Sequence, residues 1–333
     1  MRPTGHRFTQ ALSLTKRAAL VAALSLVGFA AHAQAAYPSK PVKLVVPYAP
    51  GGSVDIAARL VSEEWAKALG TTMYIENKGG AGGNIGVDQV AKSAADGYTV
   101  GIQSVSLAIN PALTARMPYD TLKDIAPVGM VASSQHVLVV GNHVPAKNVK
   151  ELVALLKADP GKYSYGSAGA GSTFHMSAEL FKAVADAPMT HIPYRGGGPA
   201  LMDTMAGQVA LSFPVLAAAK PHVQSGKLRA LGVTGAQRSA LMPDVPTIAE
   251  AGVPGYQFET WFMVFAPAGT PQPVLDKLNA SLNKALSLAP LQERMGREGY
   301  DPTPSTAVDA KLRLQKELGQ WAQLIKSRGI TAE

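Results

Sequence analysis

Residues 47–55, Pro-Tyr-Ala-Pro-Gly-Gly-Ser-Val-Asp, place two prolines and two glycines between an apolar, β-branched run at 42–46 and a segment that keeps one apolar face over 54–69. A chain with this stretch passes from strand to helix within a few residues, which is the joint of an α/β fold. Gly51 and Gly52 let another group approach the backbone closely, and Ser53 is placed to cap the helix. Tyr48, Ala49 and Asp55 flank the same turn. The first amides of a helix have no partner inside it and together carry roughly +0.5 of an elementary charge. The turn therefore suits a small anion.

Strand-like and helical runs alternate along nearly the whole chain. The pattern predicts strands at 43–46, 73–76, 98–103, 137–140, 163–165, 190–193, 209–213 and 229–234. It predicts helices at 54–69, 85–94, 149–158, 173–184, 273–288 and 307–330. Asn148 with Glu151 reads as a capping box, and Pro160-Gly161 stops that helix. Such alternation predicts parallel sheets with helices on both faces, and about 300 residues suit two α/β lobes.

The first residues set the expected location. Arg2, Arg7, Lys16 and Arg17 precede fourteen apolar or small residues at 18–31, followed by Ala-x-Ala at 31–33 and 33–35. This predicts a signal peptide over 1–35, cleaved to leave a periplasmic protein, because the apolar run is shorter than the roughly 18–20 residues that span a bilayer. The formal charge of +8 comes from 31 basic and 23 acidic residues. Removing the leader's four basic residues leaves 27 against 23, a net charge of about +4. That excess without a basic cluster argues against nucleic-acid binding and suits an acidic small molecule. Cysteine is absent, so disulfides, thiolate catalysis and cysteine metal sites are excluded together.

Three further turns resemble the first. Residues 77–84, Asn-Lys-Gly-Gly-Ala-Gly-Gly-Asn, lead into a helix that Asn84 is placed to cap. Gln103-Ser104-Val105-Ser106 gathers hydroxyls after a strand. Residues 166–175, Gly-Ser-Ala-Gly-Ala-Gly-Ser-Thr-Phe-His, join a strand to a helix whose apolar face includes Phe174, Ala178 and Phe181. There Ser167, Gly169, Gly171, Ser172 and Thr173 can present amides and hydroxyls to a carboxylate without a cationic side chain. His175 has no metal-ligating partner at i+4 and reads as a structural hydrogen-bonding residue. The dinucleotide fingerprint fails at both glycine runs, with Ile85 and Phe174 where the third glycine belongs. Ser167 lacks the flanking glycine of a nucleophile elbow, having Tyr165 two residues before it. Motifs that carry chemistry are missing, while those that hold anions are present. No cofactor is implied.

These residues resemble the Bug-type (Bordetella uptake gene) extracytoplasmic solute receptors of tripartite tricarboxylate transporters. The resemblance rests on Tyr37-Pro38-Ser39-Lys40-Pro41, the 47–55 turn, Asn77 to Gly86, Ala95-Asp96-Gly97-Tyr98-Thr99 and Gly166 to His175. Pro193-Tyr194-Arg195-Gly196-Gly197-Gly198-Pro199-Ala200, Ala206-Gly207-Gln208-Val209, Gly226 to Leu231 and Pro243-Asp244-Val245-Pro246-Thr247 complete it. It implies a periplasmic binding protein of type II: two doubly wound α/β lobes joined by two crossover strands, with the ligand in the cleft between them. By that analogy 37–136 plus 258–333 form one lobe and 137–257 the other. The implied function is capture of a small carboxylate for a membrane permease, by a monomer that is not an enzyme. The alternatives are a periplasmic ligand sensor and a serine hydrolase using Ser167 or Ser172.

Arg195 is the cation expected nearest the cleft, with a surface role as the equal alternative because arginine is mostly exposed. Many relatives carry aspartates where this chain has Ala210 and Pro214. Their loss points to a ligand without an amino group.

Overall fold

The computed structural model describes residues 37–331, so the leader expected at 1–35 lies outside the described residues. Strand β1 (Val42–Val46) is mostly buried, and Gly51, with φ +83°, turns the chain into α1 (Ser53–Leu69). Apolar residues at 54, 57, 58, 61 and 65 share the buried face of α1, the spacing of an amphipathic helix. Trp65 seals that face, its indole N–H donating to Ser281 Oγ at 2.9 Å. Gly70 ends the helix in the left-handed region and donates back to the Ala66 and Lys67 carbonyls. Next come β2 (Met73–Asn77), a 3-10 turn (Ala81–Gly83), α2 (Asn84–Ala91), β3 (Thr99–Ser104) and α3 (Ser106–Leu113). The eleven-residue β4 (Ile125–Gln135) then passes through His136 alone into β5 (Val137–Gly141).

The middle of the chain runs α4 (Val149–Ala158), β6 (Ser164–Ser167), α5 (Thr173–Ala185), β7 (Thr190–Pro193) and α6 (Gly197–Ala206). It continues through β8 (Leu211–Ser212), α7 (Leu216–Gln224) and β9 (Leu228–Val233). The last part is β10 (Glu259–Pro267), α8 (Gln272–Leu286), α9 (Ala289–Arg297), β11 (Tyr300–Pro302) and α10 (Ala307–Arg328). Among the described residues no helix is long and apolar enough to cross a membrane.

Two sheets organise these elements. One has the order β11-β4-β10-β3-β1-β2 and the other β7-β6-β8-β5-β9. The pairs β1–β2, β1–β3, β6–β7 and β6–β8 are parallel. The expected parallel pairing holds for these strands, and the sheets are mixed because β10 runs antiparallel to β3 and β4, and β5 antiparallel to β8 and β9. The reason is the traffic between lobes. The strands that enter a lobe from the crossing, β10 and β5, start at its cleft side and so run against the strands that deliver their loops there, while β4 and β9, which leave, run with them.

The two crossings lie side by side. His136 N–H donates to Thr234 Oγ1 at 2.9 Å, Thr234 N–H to the His136 carbonyl at 2.9 Å, and Phe258 N–H to the Thr234 carbonyl at 2.8 Å. A continuous apolar cluster runs through both lobes, from Val45, Val87 and Phe265 to Leu138, Tyr165 and Phe213, with Tyr256 and Phe258 between.

Three helix starts were legible and two of them differ in detail. Asn148 Oδ1 accepts from Glu151 N–H at 2.9 Å, as the capping box requires. Ser53 does not cap α1: the N-cap is Gly52, and Ser53 is already helical. Asn84 does not cap α2 either. Its side chain is drawn away by Asn110 Nδ2 at 2.7 Å and the Tyr119 hydroxyl at 3.0 Å, both donating to Asn84 Oδ1.

Candidate functional site

The loops beyond the carboxyl ends of β1, β3, β6 and β7 enclose a cavity of about 10 Å³. This is where ligands bind on open α/β sheets. Its lining from one lobe is Tyr48, Gly52, Ser53, Val54 and Ser104; from the other it is Ala168, Ser172, Thr173, Phe174 and Gly197. Three helices, α1, α5 and α6, begin at this point. Neither α1 nor α6 has a side-chain cap, and on α5 the Ser172 hydroxyl takes only the His175 amide, at 3.3 Å. The remaining first-turn amides have no partner within their helices, so three partial positive charges converge on one small space. No lining side chain is charged.

The volume is that of roughly one water molecule, so a larger ligand enters by parting the lobes. They meet along a seam of glycines. Ala49 N–H donates to the Arg195 carbonyl at 3.4 Å across it. A Cβ on Gly82 would run into the Ala170 carbonyl oxygen, and one on Gly171 into Asn110 Oδ1. A Cβ on Gly196 would lie 2.9 Å from Ala49 Cβ, and one on Gly79 would lie 3.0 Å from the Arg195 carbonyl oxygen. A larger groove of about 380 Å³ sits at the opposite end of the first sheet, bounded by Ile125 and Pro127 at the start of β4 and by Ala268 after β10. It belongs to one lobe alone, so binding there gains nothing from closure.

The residues expected at the site separate into three groups. Tyr48, Gly52, Ser53, Ser104, Ser172 and Thr173 line the cavity. Ser106 lies just behind it, in a buried chain where Tyr48 OH meets Ser106 Oγ at 3.3 Å and Ser104 Oγ meets Ser106 Oγ at 3.1 Å. Tyr48 also donates to the Gly82 carbonyl at 2.8 Å, and burial pushes its phenol up from the ordinary value.

Others support the turns. Ala49 sits on the seam. The amides of Gly169 and Gly171 are taken internally, by Ser167 Oγ at 3.0 Å and His175 Nδ1 at 3.2 Å, which leaves Thr173 and Phe174 to supply the donors on this side. Asp55 is buried, with Oδ2 accepting from Gly51 N–H at 3.0 Å and Arg59 Nε at 2.9 Å, and Oδ1 from Asn77 Nδ2 at 2.9 Å. Burial pushes its carboxyl up, but these partners outweigh burial and hold it below the usual range.

The third group stands apart from the cavity lining. Arg195 is exposed, and only its carbonyl joins the seam. Pro214 is buried and offers its carbonyl to Val137 N–H at 2.8 Å. Val54, Ala168, Phe174 and Gly197 were not anticipated. The signal for Gly197 was present, since Gly196-Gly197-Gly198 follows the 190–193 strand just as Gly51-Gly52 follows β1.

Asp55→Ala is expected to lower stability by about 2–3 kcal/mol, because it orphans the Gly51 amide and the Asn77 amide group at the helix start. Urea denaturation measures this. The native advantage is present above the carboxyl's unfolded pKa and disappears as pH falls through its lower folded value.

Ser167 Oγ lies 2.6 Å from His191 Nε2, the spacing of a nucleophile and its base. The serine is wholly buried and already accepts from the Gly169 amide. The pair braces the turn and presents no nucleophile.

Comparison with known proteins places this geometry. Residues 57–330 match the family model described as "Tripartite tricarboxylate transporter family receptor". Protein BugT of Bordetella pertussis is 37% identical over 309 residues, which is 92% of this chain and 95% of BugT. A solved structure from R. palustris, described with adipate, shares 35% identity at a TM-score of 0.85, over 89% of this chain and 99% of that one. MatC from Rhodopseudomonas palustris, described with bound malate, shares 32% identity at a TM-score of 0.83, over 87% of this chain and 100% of that one. These are binding proteins, not enzymes. With its full-length match and two mixed α/β lobes, the chain belongs to the receptor family of the tripartite tricarboxylate transporters.

Proposed function

We propose that this receptor captures a small carboxylate lacking an amino group between its lobes and presents the closed form to the transporter's membrane subunits. One observation carries the reading: helix starts from both lobes converge on a space whose lining holds no charged side chain. Such a field attracts an anion and offers nothing to an ammonium group. The adipate and malate described in two relatives support the same ligand class. A carboxylate touching amides of both lobes makes contacts only the closed form offers, and those contacts shift the population toward closure.

Receptors of this family are periplasmic binding proteins. The finer reading is a chain exported by a leader over 1–35, acting as a monomer, with 37–136 plus 258–333 and 137–257 as the two lobes. Thr173 and Ser53 are assigned the central ligand amides, with Ser104 and Tyr48 facing the rest of the molecule.

A thermal-shift series with adipate, malate, simple monocarboxylates, glutamate and aspartate tests the ligand class. A bound carboxylate at a hundred times its dissociation constant stabilises by about 2.7 kcal/mol. The expected result is a shift with one or more amine-free acids. Tighter binding of glutamate or aspartate than of every simple carboxylate contradicts it.

A further inference from the structure

The turn at 166–173 is held from beneath by two histidines that the binding reading does not use. Gly171 N–H donates to His175 Nδ1 at 3.2 Å. Gly169 N–H donates to Ser167 Oγ at 3.0 Å, and that oxygen lies 2.6 Å from His191 Nε2. Because Ser167 Oγ accepts from an amide, its own proton is available for a neutral His191 nitrogen. The two imidazoles lie against each other with ring centroids 4.4 Å apart, and Tyr165 stacks on His191 at 4.9 Å.

The hydrogen bonds fix the protonation state the turn requires. To accept from Gly171, His175 Nδ1 must carry no proton, so the ring proton sits on Nε2. That nitrogen is buried and has no partner. An imidazolium at 175 would point a donor at the Gly171 donor, and one at 191 would claim Ser167 Oγ as an acceptor. The first change breaks the Gly171 contact; the second lets Ser167 Oγ keep the Gly169 amide on its other lone pair but removes the acceptor of the Ser167 hydroxyl proton, which loosens the same turn. No group of three His, Asp or Glu side chains among the described residues is arranged to hold a metal.

We propose that His175 and His191 are positioning residues, which in their neutral form hold Gly169 and Gly171 in the turn the ligand needs, and that acid releases this turn. The inference rests on the reading that the 166–173 turn faces ligand. Burial, and for each ring the nearby Lys182 charge, lower both histidines to about 4; for His191 its histidine neighbour contributes ahead of Lys182. Glu179 opposes this at His191. It is itself engaged by the Tyr165 hydroxyl at 2.6 Å and Lys182 Nζ at 2.8 Å. Tyr165 is the phenol packed on both rings, with centroids 6.4 Å from His175 and 4.9 Å from His191.

Two measurements test this. In the unliganded native protein, histidine-ring and amide NMR from about pH 7 to about pH 4 is expected to show an Nε2–H tautomer at His175. The Gly169 and Gly171 amides should shift together as the rings titrate. Amides that stay fixed through the titration overturn the proposal, whatever the ligand proves to be. The second measurement is adipate affinity over the same range in the native chain and in His175→Asn, which keeps an acceptor at the δ position but does not titrate. The native chain is expected to lose about twofold more affinity at about pH 4 than the variant, because about half of the His175 rings are then protonated, and the ligand's own titration cancels in the comparison. Equal acid losses in the two proteins overturn the proposal. Absence of adipate binding at neutral pH in both counts against the ligand class proposed above and leaves the NMR result to decide this one.

Discussion

Gly82→Ala is expected to leave both lobes folded and to prevent them from closing. Gly82 has φ +62°, and the added methyl would meet the Ala170 carbonyl oxygen of the opposite lobe. A backbone carbonyl has nowhere to turn, so relief comes from separating the lobes. Left-handed backbone costs an alanine about 1–2 kcal/mol, a local effect on stability. Overpacking at the seam adds about 1–3 kcal/mol to the closed form alone. Carboxylate affinity should therefore fall by up to about a hundredfold while the thermal transition moves modestly. Gly196→Ala separates the two causes. Gly196 is extended at φ 163°, so alanine is unstrained there, yet its Cβ would sit 2.9 Å from Ala49 Cβ. It should weaken binding by about tenfold through the seam only. Calorimetry reads the affinity, and small-angle scattering with saturating ligand reads closure. Native compaction by Gly82→Ala with ligand would contradict the role assigned to the seam.

Acid is expected to destabilise the protein well above the pH at which its carboxylates titrate, chiefly through His136. This ring lies where the chain crosses between lobes, fully buried, with Phe174 at 5.9 Å and Phe258 at 5.3 Å, both edge-on. Neither ring nitrogen has a hydrogen-bond partner, and burial lowers the imidazole to about 3. The unfolded chain binds the proton near 6.5, so below that pH the unfolded state gains protons that the folded state refuses. Stability is then fully present above about 6.5 and falls continuously toward about 3. The total acid-sensitive share from His136 is on the order of 5 kcal/mol. His175 and His191 add a loss with the same sign between about 6.5 and about 4. His136→Phe keeps an aromatic ring of similar shape and removes both orphaned nitrogens. It should gain about 1–3 kcal/mol at neutral pH and flatten the acid limb. Urea midpoints from about pH 7 to about pH 4 measure both. A variant that is less stable than native at pH 5 would show that the ring nitrogens are satisfied in solution.

Much of this architecture was legible because the relevant signals are local. The helix at 149–158 and the strand at 190–193 have the bounds their patterns predict, one marked by Asn148 and Pro160, the other by alternation and a following glycine run. The long β4 escaped because Pro127 and Gly129 interrupt its pattern. In the sheet they fall where β4 and β10 shift register, so the interruption is absorbed there. Helix α6 escaped because Gly196-Gly197-Gly198-Pro199 reads as loop, although proline in a first turn gives up an amide that has no helical partner anyway. At the site, turns with their own glycines and hydroxyls were visible. Asn110 against Gly171 and His191 beneath Ser167 were not, since each pairing depends on how separate elements pack in three dimensions.

The most direct test is a crystal structure of the receptor with the carboxylate that stabilises it most. The account predicts one carboxylate group within hydrogen-bonding distance of first-turn amides from both lobes, at Ser53 or Val54 on one side and Thr173 or Phe174 on the other. A ligand seated in the groove between Ile125 and Ala268, or held by one lobe only, would contradict it.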